Sequence, residues 1–155
     1  MAFMDLRPEL LPAPVPEARL RELASEVERI ERLRCSGERA AADAALTAFN
    51  EDTGHDYDTY QFLAYSGSRT VEDFAREAAR PANPRVPDVT RDELVEVVRR
   101  IRECGPDEEH YRRLFDTNVR HPSASALIFH PPAGLEEASP EEIVDAALAY
   151  RPIAL

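Results

Sequence analysis

Apolar side chains recur at three- and four-residue intervals along most of this chain, and the runs are cut by proline, glycine and hydroxyl–acid pairs. Between Glu17 and Cys35, Leu20, Leu23, Val27, Ile30 and Leu33 share one face while Glu and Arg fill the rest, the pattern of an amphipathic helix. Ser36-Gly37 interrupts it, and an alanine-rich helix resumes from Glu38 to Phe49. Asn50 to Gly54 is turn-tolerant. The segment HDYDTYQFLAY then crowds Tyr57, Tyr60, Phe62 and Tyr65 together; it is read as a surface-to-core transition that closes the helical layer, ahead of a recognition patch. Ser66-Gly67-Ser68 forms a turn, and Thr70 with Asp73 caps a helix through Ala79 whose apolar face is Val71, Phe74, Ala75 and Ala78.

Pro81, Pro84 and Pro87 make the clearest linker, which divides the chain into 1–87 and 88–155. Beyond it, Thr90 and Glu93 form a capping box for a helix lined by Leu94, Val97, Val98 and Ile101, which Gly105-Pro106 stops. Asp107-Glu108-Glu109 suits the positive end of the next helix, which carries Tyr111, Leu114, Phe115 and Val119. Leu127-Ile128-Phe129, closed by His130-Pro131-Pro132, is too short for a full helix. Ser139-Pro140-Glu141-Glu142 opens a last helix with Ile143, Ala146, Ala147 and Tyr150 on one face, ended by Pro152. The spacing therefore predicts helices near 18–35, 38–49, 71–79, 91–104, 107–119 and 140–150, a single turn at 124–129, and no strand alternation long enough for a sheet. At the other end, Pro8, Pro12, Pro14 and Pro16 predict an extended, polyproline-like arm over 1–17, able to wrap the domain through Leu6, Leu10 and Leu11. The fold class is all-α: a helical N-terminal layer plus a C-terminal four-helix region. The faces at Leu20, Val27, Ile30 and Phe74 are too extensive to leave in water and are expected to pack on the C-terminal part or on a second copy of the chain, so a homo-oligomer is open.

Composition narrows the function classes. A length of 155 residues suits one domain, or a small domain with an extension. The net charge is −11, and the 19 basic residues are all arginine. That balance argues against nucleic-acid and anionic-membrane partners and favours a basic one. Without an apolar window of membrane length or a signal-peptide pattern, the expected location is cytoplasmic. Cys35 and Cys104 lack CxxC spacing and are expected to be free thiols. His55, His110, His121 and His130 lie on separate elements with no ligand spacing, so neither a metal nor another cofactor is expected. There is no glycine-rich phosphate loop, GxSxG or HExxH, and the carboxylates at helix starts are explained by capping, so the chain is not expected to be an enzyme.

The order His121-Pro122, four small or polar residues, Leu127-Ile128-Phe129-x-Pro131, an acidic loop, then Ser139-Pro140-x-x-Ile143-Val144 and a short helix resembles the bacteriocin immunity proteins. These are small four-helix proteins that neutralise colicin-type nuclease toxins. The resemblance runs from about Thr90 to Pro152. It implies that the Leu-Ile-aromatic segment is a very short third helix, that Ser-Pro opens the fourth, and that a partner is met by the acidic second helix and the short third one. In the family an aspartate and two adjacent tyrosines carry much of the binding; those positions are Ala126, Phe129 and His130 here, while His121, Leu127, Ile128 and Pro131 match frame positions. The implied contact centres on Phe129 and His130, rimmed by Glu108, Glu109 and Asp116, with Arg112 and Arg113 diluting the negative charge. Ala126 removes a charged acceptor, Phe129 lacks a hydroxyl and His130 is smaller than tyrosine, so an altered partner, or no binding of the family's type, is expected. The alternative is a non-catalytic helical interaction or structural protein with another partner.

Overall fold

A computed structural model describes residues 5–65 and 70–151, with backbone only at 63–65. Among them are eight α-helices and no strand: α1 (Glu17–Cys35), α2 (Arg39–Thr53), α3 (Thr59–Tyr65), α4 (Val71–Ala79), α5 (Arg91–Arg102), α6 (Glu108–Asn118), α7 (Ala126–Phe129) and α8 (Pro140–Ala149). The protein is all-α, as its apolar periodicity requires. The turn read at Ser66–Ser68 and the stop at Pro152 lie outside the described residues.

The chain forms two compact units, and residues 5–12 group with the described residues beyond 82. One unit comprises Ala13–Ala82; the other joins the described part of Met1–Pro12 to Asn83 onward. The division between 87 and 88 is therefore displaced, and the arm does not group with the helices that follow it. The cause lies in side-chain burial. Leu6 and Leu10 enter the core formed by α5, α6 and α8, where Leu94, Val98, Leu114, Phe115, Ile143 and Val144 meet them. Leu10 is fully buried, while Leu11 faces solvent. The arm is also not extended throughout: Pro8–Leu10 forms a single 3-10 turn, started by the fixed φ of Pro8.

The C-terminal unit follows its caps. Thr90 Oγ1 accepts from the Glu93 N–H, and Glu93 returns the bond to the Thr90 N–H, closing a capping box on α5. Ser139 and Glu142 do the same for α8, with Pro140 at its first position. Residues 94, 97, 98 and 101 of α5 are buried together, as a 3.6-residue period dictates, and α5 packs against both α6 and α8. Asn118, at the end of α6, pins the linker: its Nδ2 donates to the Pro84 carbonyl (2.8 Å) and its Oδ1 accepts from the Val86 N–H (2.8 Å).

The other unit has a core of its own. Leu23, Val27 and Ile30 of α1 meet Phe49 of α2, Phe62 of α3 and Phe74 of α4, with Leu20 partly buried against them. The apolar faces expected to seek the C-terminal part or a second copy thus close on one another. The aromatic segment does reach the core, through Tyr57 and Phe62, whose rings lie 4.9 and 5.0 Å from that of Phe74; Tyr60 remains 76% exposed. It also forms a helix, α3, that the aromatic reading passed over. Asp58 Oδ1 accepts from the Gln61 N–H (2.9 Å) and Gln61 Oε1 accepts from the Asp58 N–H (2.7 Å), a reciprocal cap at that helix start. Helix α2 continues past Phe49 to Thr53, where Gly54 in the left-handed region ends it. His55 stacks on Tyr57, and its Nε2–H donates to the Arg80 carbonyl (2.6 Å); Arg80 Nε in turn donates to the Ala13 carbonyl (3.3 Å), tying the two ends of this unit together.

Candidate functional site

The candidate face is built on α6 and α7, and α7 is the element least able to stand alone. Four residues cannot sustain a helix by propensity, since nucleation is unfavourable. Here Asp116 of α6 holds it: Oδ1 accepts from the Ser125 N–H (2.7 Å) and Oδ2 from the Ser125 hydroxyl (2.9 Å). His121, before the turn, packs its ring 4.8 Å from that of Tyr150, and its Nδ1 accepts from the Ser123 N–H (3.0 Å).

With α7 fixed in this way, its three apolar residues separate by face. Leu127 is buried, Ile128 packs half-buried on the core, and Phe129 is 42% exposed. His130 caps the turn through its N–H to the Ala126 carbonyl (2.8 Å) and is exposed. Only Leu127 is therefore a full core residue; the two positions expected to meet a partner both face solvent.

Phe129 borders an open groove of about 350 Å³ that it shares with Cys104, Gly105, Glu108 and Arg112. The groove thus lies between the α5–α6 turn and the end of α7. Cys104 and Gly105 were not singled out as site residues; the Gly105-Pro106 break was read only as a helix stop. Cys104 adopts a positive φ of 53° just past α5, which turns the chain sharply into α6. Its place beside Phe129 depends on how α5, α6 and α7 pack, and no local pattern encodes that.

The acidic positions divide by what they touch. Glu108 is half-buried in the first turn of α6, and among the described residues no cation pairs with it. Glu109 is held by Arg112 and by Arg113, whose Nε donates to Oε1 (2.7 Å). Asp116 is engaged by Ser125 as described. Of these three acidic residues, Glu108 is the one that lines the groove with Phe129.

Behind the face, the α5–α6 pair is tied by charge. Glu96 is buried and receives hydrogen bonds from Arg99 and Arg100, the latter at 2.7 Å through Nε. Arg100 Nη1 also donates to the Tyr111 hydroxyl (2.9 Å), and its guanidinium lies 5.5 Å from that ring's centre. Burial raises the Glu96 carboxyl, but the Arg99 and Arg100 bonds outweigh it and hold the group below the usual glutamate range.

Among the described residues no three His, Cys, Asp or Glu side chains are grouped to hold a metal ion, and no helix is long and apolar enough to cross a membrane. Residues 86–152 match the family described as colicin immunity protein / pyocin immunity protein. The resemblance read from about Thr90 onward is borne out and begins slightly earlier, at the buried Val86 that Asn118 pins. No curated protein and no solved structure matches the chain.

Proposed function

We propose that this chain, through its immunity-family region, binds and neutralises a basic nuclease-type toxin, with contact centred on Phe129 and His130 and rimmed by Glu108, Glu109 and Asp116. The observation that carries the reading is the exposed Phe129 ring beside Glu108, on the helix pair where the matched family's resemblance puts its contact surface. An aromatic side chain at the centre supplies buried area on binding, and the carboxylates at its edge steer a cationic partner and fix register. Glu108 acts directly; Glu109 and Asp116 contribute charge while also holding Arg112, Arg113 and Ser125 in place. The net charge of −11 raises the encounter rate with a basic protein at low salt. The chain acts by covering its partner and is not itself a catalyst, and the cytoplasm is where such a partner would be met.

The test uses a panel of catalytically silenced colicin-type and pyocin-type nuclease domains and calorimetric titration. We expect one member to bind, and His130→Ala and Glu108→Lys each to weaken it about tenfold or more, ~1.4 kcal/mol, without lowering the melting temperature. Binding that survives both substitutions at full strength places the contact elsewhere. If no nuclease domain binds at all, the second reading stands: a helical interaction protein with another partner. It is favoured by Ala126, Phe129 and His130 at the family's three anchor positions.

A further inference from the structure

Residues 5–12 lie outside the matched family region, yet they are built into the unit that contains it. Three kinds of contact hold them. Leu6 and Leu10 are buried in the core of α5, α6 and α8. Arg7 forks between two carboxylates: Nε donates to Glu93 Oε2 (2.8 Å), while Nη1 and Nη2 donate to Asp88 Oδ2 (2.9 Å) and Oδ1 (3.0 Å). Glu93 is the same residue that closes the capping box of α5, so Arg7 grips that helix at its start. The third contact is to α6: buried His110 places Nε2 2.9 Å from the Leu10 carbonyl, which accepts its proton.

His110 is the third residue of α6, directly after Glu108 and Glu109. Asp107 makes no side-chain capping bond to the first turn of that helix, whose Glu108 N–H donates to the Gly105 carbonyl (3.2 Å). We infer that residues 5–12 are a positioning strap for the docking face: His110, bonded to the Leu10 carbonyl, is the positioning residue that fixes the turn carrying Glu108 and Glu109, and Arg7 anchors the strap on the start of α5. The effect on partner binding rests on the nuclease-binding reading above; the strap itself does not.

Three substitutions in the full-length chain separate positioning from bulk stability. His110→Leu keeps an apolar side chain of useful size and removes the donor. His110→Gln keeps a donor that can reach the Leu10 carbonyl. Arg7→Gln breaks the fork and leaves the leucines in place. Hydrogen exchange is followed by mass spectrometry over 5–12 and 107–112, with α8 and α4 as references inside each unit. His110→Leu and Arg7→Gln are expected to speed exchange at 107–112 by roughly tenfold or more, with His110→Gln close to the parent and α8 and α4 little changed. Unchanged exchange at 107–112 in both disruptive variants overturns the inference. So does an equal rise in His110→Gln, or a rise of the same size throughout α8, which is loss of stability alone. The nuclease panel keeps the two readings apart. If the parent binds no panel member while the exchange pattern is as expected, the docking reading falls and the strap stands. If the parent binds and the exchange pattern is absent, the strap alone falls.

Discussion

Two glutamates on α5 are buried in the same unit, and each is kept ionised by a different set of donors. Burial pushes both carboxyls up. For Glu93 the Thr90 N–H and Arg7 more than offset it, and for Glu96 Arg99 and Arg100 do, so both lie below the usual glutamate range. A carboxyl whose folded pKa is depressed contributes stability above its unfolded value, about 4.3, and loses that contribution as pH falls through the lower folded value. The C-terminal unit should therefore weaken on acidification below about pH 4, and Glu96→Gln should reduce that dependence. The same substitution should cost about 1.5–3 kcal/mol at neutral pH, because Arg99 and Arg100 lose a charged acceptor in a site where water is largely excluded. Thermal melts of parent and variant across pH 3–7, followed by far-UV circular dichroism, measure both effects. Sequence reading caught Glu93 as a capping residue through its spacing from Thr90. Glu96 carries no such spacing signal, since burial of a carboxylate between its own i+3 and i+4 arginines depends on the helix face that α6 covers.

At the scale of elements, most boundaries follow from local chemistry. The starts of α5 and α8 were legible because a capping box is a four-residue signal, and their apolar faces repeat with the helix period. The start of α3 carried a signal of the same kind in Asp58 and Gln61, hidden among aromatics that drew a different reading. α7 behaves differently: its sequence marks a short turn, but its persistence as a helical turn rests on Asp116 reaching across from α6. Asp116→Ala should remove both bonds to Ser125 and destabilise the C-terminal unit by about 1.5–3 kcal/mol, as expected for hydrogen bonds to a charged group. In urea the unfolding midpoint should fall, and ring resonances of Phe129 should lose their dispersion before those of Phe115. Equal stability in the variant, with Phe129 undisturbed, shows that Pro131 and Pro132 hold α7 without Asp116.

For the whole molecule, the two cores assign each large side chain to one unit. Phe74 is fully buried among Tyr57, Phe62 and the α1 leucines, so Phe74→Ala should cost about 3–5 kcal/mol and raise exchange in α1, α2 and α4. Leu10→Ala should cost about 2–5 kcal/mol and be felt in α5, α6 and α8, although residue 10 precedes all of unit Ala13–Ala82 in the chain. Exchange mapped by segment in the two variants checks the assignment. If Leu10→Ala raises exchange in α1 and α4 rather than in α5 and α8, the arm has been placed with the wrong core.

What the sequence determined by itself is what short-range physics controls. The helix period fixed an all-α chain, capping residues fixed where α4, α5 and α8 begin, and the ordered run from His121 to Val144 fixed the family resemblance of the C-terminal part. The apolar count in α1 and α4 also required a partner surface, though not which one. The tertiary structure decided that these faces close on each other, that Leu6 and Leu10 cross back to a core assembled from residues beyond 83, and that Phe129 and Glu108 share a groove. The physical reason is the same in each case. Hydrophobic burial is non-directional, so a pattern of apolar positions states that a face must be covered without naming its cover. The choice is made by packing and by hydrogen bonds between residues far apart in the chain, such as His110 to Leu10 and Arg7 to Glu93.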